Sequence, residues 1–209
     1  MALVDAVNPC TLAVMTLLLS ALVITKGKKD VLLGGLLFTL TIFIMYALYG
    51  LGLLQVIYAL GIEAQVRMLL RALLVVMALV ELNAYFSYKP GFGSMEMPMN
   101  LRPIAKKALS SVDSPIMVIP AAALCSILLL PCSSGPYVAA LTILSDLSFW
   151  AQLPFVIYYN FLFTLPMITI TFIAAFGTSP QKVAEWKEKH IRTLHLLAGI
   201  LLIAVLFMV

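Results

Sequence analysis

Residues Leu130-Pro131-Cys132-Ser133-Ser134-Gly135-Pro136-Tyr137 lie in the middle of an apolar run, 116–147, that is too long for one straight membrane crossing. Pro131 has no N–H to donate, and its ring clashes with the carbonyl of Ile127. Gly135-Pro136 then reads as a fresh helix start, with Pro136 at the first helical position. The expectation is a helix broken at Cys132, two half-helices in place of one. A second Pro-Cys pair stands in Asp5-Ala6-Val7-Asn8-Pro9-Cys10. Asn8 and Pro9 fit the cap and first position of a helix, which puts Cys10 in its first turn. Unpaired N–H groups and the positive end of the helix dipole favour a thiolate there.

Around these two motifs six apolar runs can be read, at 7–25, 31–57, 66–86, 116–147, 153–176 and 191–209. Runs of this length with few charges are membrane spans rather than core helices. The short alternating segments of a membrane barrel are not the pattern here. The first run lacks a basic leader region and a small-residue cleavage pattern, and so reads as a span, not a signal peptide. Of 209 residues, 63% are hydrophobic and 11% charged, with a mean hydropathy of +1.10. Soluble domains are nearer half apolar and a quarter charged, so a soluble enzyme and a disordered chain are excluded. A net charge of +4, scattered along the chain, excludes a nucleic-acid binder. The expected fold is all-α, a single integral membrane domain over 1–209 with no separate soluble domain.

Eleven of the thirteen Lys and Arg residues fall in the first, third and fifth loops. They are Lys26, Lys28 and Lys29, then Lys89, Arg102, Lys106 and Lys107, then Lys182, Lys187, Lys189 and Arg192. Arg67 and Arg71 fall towards the other side. The positive-inside rule makes those loops cytoplasmic and both termini extracytoplasmic. Trp150 and Tyr58 fit interfacial anchors. Residues 179–192, with Ser179 as cap and Pro180 first, read as a short amphipathic helix lying on the surface.

Three spans precede the long third loop and three follow it, so the halves cross in opposite directions. That is the arithmetic of an inverted repeat, with repeat 1 at 1–90, a connecting loop at 91–114 and repeat 2 at 115–209. The Pro-Cys pairs fall in corresponding spans. Each cysteine lies about 15 residues from the face where its helix ends, roughly 22 Å of straight helix. In a hydrocarbon core about 30 Å thick, untilted helices would leave the cysteines over ~10 Å apart. A disulfide needs Cα atoms within about 7 Å. Tilt and unwinding, or movement between states, must close the gap, and Pro9, Pro131, Gly135 and Pro136 are the candidate hinges.

On the two Pro-Cys motifs, together with Leu165-Pro166 in the fifth run, the chain resembles the CcdA family. These are the membrane electron transporters of cytochrome c biogenesis, related to the transmembrane domain of DsbD. The resemblance covers essentially the whole chain. It departs at Ala13, where a proline is common in the family, and in one extra residue between Cys132 and Gly135-Pro136. It implies a six-span inverted repeat whose redox pair is Cys10 and Cys132, cycling between dithiol and disulfide. It further implies cytoplasmic thioredoxin as the electron donor and an extracytoplasmic thioredoxin-like protein as the acceptor. The implied place is the plasma or inner membrane, and no metal or organic cofactor is required.

Other residues carry weaker signals. Asn8, Asp5, Tyr137 and Asn160 are candidate supporting residues. Asp5 reads first as a solvated interfacial carboxylate, and second as a proton acceptor during exchange. Asn160 reads as an interhelical hydrogen-bonding residue. Glu81 is an intramembrane carboxylate that reads as snorkelling or pairing near the interface. Cys125 reads as packing, and His190 and His195 as too isolated for a metal site. Met95, Met97 and Met99 alternate in the third loop, and thioethers suit Cu(I). That motivates one alternative, a soft-metal (copper) transporter. Another is a small-solute permease in which the Pro-Cys pairs are only helix breaks.

Overall fold

In the computed structural model, all regular structure among the described residues is helical. The structure describes residues 2–6, 9–25, 27–61, 63–87, 102–110, 112, 115–144, 147–176 and 180–207. The helices are α1 (Ala2–Ala6), α2 (Pro9–Thr25), α3 (Lys28–Leu60), α4 (Glu63–Phe86), α5 (Arg102–Ser110), α6 (Val118–Leu144), α7 (Phe149–Ala175) and α8 (Pro180–Leu206). A single 3-10 turn, Pro115–Met117, leads into α6.

Among the described residues, four stretches are long and apolar enough to cross a membrane: Lys28–Ile57, Met68–Phe86, Trp150–Ala175 and Glu188–Leu206. Two shorter apolar stretches are Cys10–Ser20 and Val118–Leu130. The outer surface agrees with this. Leu33, Leu40, Ile44 and Leu48 are exposed along α3, and Met68, Leu69, Val76 and Leu79 along α4. Contiguous apolar faces of that extent are not left in water by a soluble protein. Inside the helices, threonine hydroxyls donate to carbonyls one turn back. Thr16 bonds Leu12, Thr39 bonds Gly35 and Thr171 bonds Met167, each at 2.8 Å. Each hydroxyl is thereby satisfied without water.

Three expectations are corrected by this architecture. Helix α6 runs unbroken from Val118 to Leu144, through both Pro131 and Pro136, so the predicted break at Cys132 is absent. Proline's fixed φ is itself helical, so each ring removes one donor without forcing the chain out of the helix. Packing by α3 and α4 holds the rest, and the Ser133 hydroxyl adds a bond to the Leu129 carbonyl at 3.1 Å. Secondly, the amphipathic stretch after residue 179 is not a separate surface helix. It continues into the last apolar run as α8, because nothing between Pro180 and Leu206 breaks the helical repeat. Thirdly, α5 forms within the connecting loop. Ala105 and Leu109 are buried one turn apart, and the helix lies against α6 and α2. The start of α2 at Pro9 agrees with the reading of Pro9 as the first helical position.

Close contacts fix the helix directions. Leu22, near the end of α2, fills the space beside Gly34 at the start of α3. Val118, at the start of α6, also lies beside Gly34, and Tyr137 and Leu141 lie beside Gly50 further along α3. Helices α3 and α6 are therefore parallel. Gly35 meets Thr171 of α7, while Tyr46 meets Phe163 with ring centroids 5.0 Å apart. That ordering makes α3 and α7 antiparallel. Gly199 of α8 sits against Leu82 of α4, and Leu202 and Val205 join Leu74, Met77 and Ala78. Thus α4 and α8 are antiparallel as well. Small residues at such contacts let helix backbones approach closely where hydrophobic burial gives no drive.

Candidate functional site

The first Pro-Cys motif opens α2, and Cys10 is buried in the first turn of that helix. The second motif lies in α6. The side chains of Pro9, Pro131, Cys132 and Gly135 fall outside the described set, as do Asn8 and its expected capping role, and the Tyr58 side chain. The neighbours of Cys132 are described. Ser133, Pro136 and Tyr137 are all buried.

These neighbours build a polar and aromatic core with α3 and α7. The Tyr46 hydroxyl lies 2.6 Å from Ser133 Oγ, which in turn donates to the Leu129 carbonyl. One turn along α3, the Tyr49 hydroxyl lies 3.0 Å from Ser126 Oγ, which donates to the Ala123 carbonyl at 2.6 Å. Each tyrosine of α3 is thus locked to a serine of α6, and each serine to its own helix. The Tyr137 hydroxyl donates to the backbone carbonyl of Tyr46. It occupies the space that a Cβ at residue 50 would need, so only glycine fits there. The Tyr46, Tyr137 and Tyr159 rings follow one another at centroid distances of 5.7 and 5.2 Å. A buried tyrosine needs a partner for its hydroxyl, and in this core all four have one.

The far end of this chain of rings meets α1. The Tyr159 hydroxyl donates to Asp5 Oδ2 at 2.6 Å. Asp5 is 1% exposed, which corrects the reading of a solvated interfacial carboxylate. The five-residue α1 turns it inward onto α7, and it lies ahead of the membrane-length helices. Burial pushes the Asp5 carboxyl up to about 8, with the Tyr159 hydrogen bond acting in the opposite sense.

Asn160 is fully buried, next to Tyr159 in sequence and close to the Tyr137 hydroxyl. Its amide N–H donates to the Val156 carbonyl at 3.0 Å. That bond lies within α7, and a further side-chain hydrogen bond links Asn160 to Tyr137 of α6, in keeping with the interhelical reading. Three of the four candidate supporting residues, Asp5, Tyr137 and Asn160, are therefore brought to one place. Tyr46, Tyr159, Ser133 and Gly50 join them and were not singled out in the sequence. A tyrosine hydroxyl at mid-span, which must find a partner in a dry environment, was the available signal.

Cys10 belongs to the same apolar cluster as Tyr46, Tyr137 and Tyr159, and so does Cys125. Cys125 is fully buried among these side chains, in keeping with a packing role. Glu81 and His195 form a separate constellation. His195 Nδ1 and Glu81 Oε2 lie 2.6 Å apart in a hydrogen bond that joins α8 to α4. Both are buried, so Glu81 pairs rather than snorkels. Among the described residues, no group of three or more His, Cys, Asp or Glu could hold a metal ion. Met95, Met97 and Met99 lie outside the described residues.

No family model, curated protein or solved structure matches this chain.

Proposed function

We propose that this protein is a transmembrane thiol–disulfide electron transporter, with Cys10 and Cys132 as its redox pair. The observation that carries the reading is the convergence of both Pro-Cys segments on one buried core. Cys10 and Asp5 reach that core from one motif, and Ser133 and Tyr137 from the other. Helix polarity supports an inverted six-span repeat, with α2, α3 and α4 equivalent to α6, α7 and α8. Under that assignment the equivalent pairs α3/α7 and α4/α8 run in opposite directions, as a two-fold axis in the membrane plane requires. Contacts between α2 and α8 are also mirrored by contacts between α6 and α4.

In this reading a cytoplasmic thioredoxin thiolate attacks the Cys10–Cys132 disulfide, and a mixed disulfide forms. The second thiol of thioredoxin resolves it, leaving the membrane pair as a dithiol. An extracytoplasmic thioredoxin-like protein is then reduced by the reverse steps, in support of cytochrome c maturation. The chain sits in the plasma or inner membrane, with loops one, three and five in the cytoplasm. The continuous α6 transfers the expected flexibility away from a broken helix. Access must alternate through movement of whole helices about the repeat interface, with Pro9, Pro131, Gly135 and Pro136 as weak points.

The test is a trapping experiment. A thioredoxin with only its attacking cysteine is expected to form a mixed disulfide with this protein that Cys125→Ser retains. Replacing either Cys10 or Cys132 removes the disulfide that the thiolate attacks, so the adduct is expected to be lost in each single variant. An adduct that persists in the Cys10→Ser/Cys132→Ser double variant, or no adduct at all, overturns the proposal.

A further inference from the structure

Helix α8 carries a row of exposed side chains along one face. Lys182, Trp186, Lys189, Thr193, Leu197 and Ile200 follow one another at intervals of three or four residues, and all six are exposed. That spacing keeps them on a single stripe. The stripe changes along its length from basic and aromatic to aliphatic. The membrane-length part of the helix is Glu188–Leu206, about 28 Å of helix. A hydrocarbon core about 30 Å thick therefore ends close to Glu188. Leu197 and Ile200 lie at lipid depth, and Trp186 and Lys182 stand in the headgroup layer. Lys189 sits at the boundary, where a lysine stem carries its ammonium outwards. The Trp186 ring is held in place, with its centroid 4.9 Å from that of His190. His190 Nδ1 in turn lies 2.9 Å from the Trp186 carbonyl oxygen.

The charge around the stripe favours an anion. Residues 180–193 hold four basic and two acidic side chains. Glu188 stands four residues before Arg192, at ion-pair spacing, while Glu185 stands within one turn of both Lys182 and Lys189. Gly35 meets Thr171, which brings the start of α3, with its exposed Lys28 and Lys29, to the end of the bundle where α7 stops and α8 begins.

We propose that this stripe binds an anionic phospholipid. The phosphodiester oxygens accept from the ammonium groups of Lys182 and Lys189 and from the indole N–H of Trp186, and the acyl chains lie along Leu197 and Ile200. Tryptophan and lysine at headgroup depth are the side chains that suit such a site, since each joins an apolar body to a polar donor. A lipid fits the whole stripe where a soluble acidic partner does not, because the row runs without interruption onto side chains at hydrocarbon depth. A zwitterionic headgroup carries its own ammonium, which meets the two lysines with the wrong sign. Glu185 limits the strength of the site by offering the same lysines an internal partner. The site does not involve the cysteines, and it stands whether or not they cycle.

Fluorescence quenching on the full chain in bilayers tests this. The chain has two tryptophans, so Trp150→Phe leaves Trp186 as the only one. Its emission is read in phosphatidylcholine bilayers into which brominated phosphatidylglycerol or brominated phosphatidylcholine is mixed at equal bromine content. The binding constant at Trp186 is expected to favour the anionic lipid about fivefold. Lys182→Gln/Lys189→Gln is expected to bring that ratio to about one. Glu185→Gln is expected to raise it, roughly twofold, a change in a direction that a damaged fold would not produce. Equal constants for the two lipids overturn the proposal and leave Trp186 as an interfacial anchor indifferent to charge. A preference that survives loss of both lysines overturns it too, as does a Glu185→Gln ratio at or below that of the parent.

Discussion

Among the described residues, two buried polar regions differ in how they are built. The seam between α4 and α8 holds one pair, Glu81 and His195, in direct contact at 2.6 Å. Around it lies a small apolar cluster of Leu74, Met77, Ala78, Leu202 and Val205. The core between α1, α3, α6 and α7 holds many hydroxyls, one carboxyl and two acceptor oxygens without donors. A close pair in a buried seam fastens two helices through the single Nδ1–Oε2 contact. A network left with spare acceptors is costly as a fastening, because buried unsatisfied groups lose about 1–3 kcal/mol each. Such a core is tolerated where the spare capacity is used, and the cysteine motifs end in this core rather than in the seam.

The largest expected effects separate the two regions by function. Cys10→Ser should bring transmembrane disulfide reduction, measured in vesicles loaded with thioredoxin, down to background. The Glu81→Leu/His195→Leu double replacement should leave it within about threefold of wild type, since no step uses the seam. Abolished transfer in that double variant would dissolve the contrast, making the seam part of the transport machinery.

Stability sharpens the same contrast. Either Glu81→Leu or His195→Leu alone strands a buried polar group and should cost about 3 kcal/mol. The double replacement should cost much less, because no partner is left behind. Reversible unfolding in detergent, read as a double-mutant cycle, gives the coupling directly. Additive losses would show that the two side chains are not a pair.

A smaller effect is expected at the central core. Gly50→Ala pushes a methyl group against the Tyr137 hydroxyl and should cost about 2 kcal/mol by overpacking. Tyr137→Phe removes the bond to the Tyr46 carbonyl and should cost about 1 kcal/mol. The two together should cost less than their sum, because the hydroxyl that collides is gone. Strict additivity in the unfolding midpoints would place the strain elsewhere. The smallest effect belongs to Gly52→Ala. Nothing lies within 4 Å of a Cβ there, and the change should stabilise α3 by about 0.5–1 kcal/mol. A loss of stability at this position would show a neighbour that the monomer does not contain.

Much of this layout is legible in the order of residues. The helical runs follow from their length and apolarity, and Pro9 at the head of α2 follows from ring geometry. The candidate status of Asp5 and Asn160 follows from polar groups standing inside or beside such runs, and that of Tyr137 from its place in the second Pro-Cys motif. Their grouping was not legible, because Asp5 meets Tyr159 across most of the chain's length and no periodicity links the two. The unbroken α6 was misread for a related reason. Proline's cost is local and visible in sequence, whereas the packing by α3 and α4 that outweighs it is not.

Composition alone settled the solvent, since a chain that is 63% hydrophobic and 11% charged cannot be covered by polar surface in water. An apolar surrounding offers no partner for free backbone groups, which leaves helices and closed barrels, and the long unalternating runs select helix. What only the tertiary structure decided is which polar side chains face one another. Asp5 became a buried carboxyl under a tyrosine, and Glu81 became half of a pair with His195. The reason is physical. Local sequence fixes the face of a helix on which a side chain stands, but a buried polar group's charge and role depend on the partners that other helices bring to it.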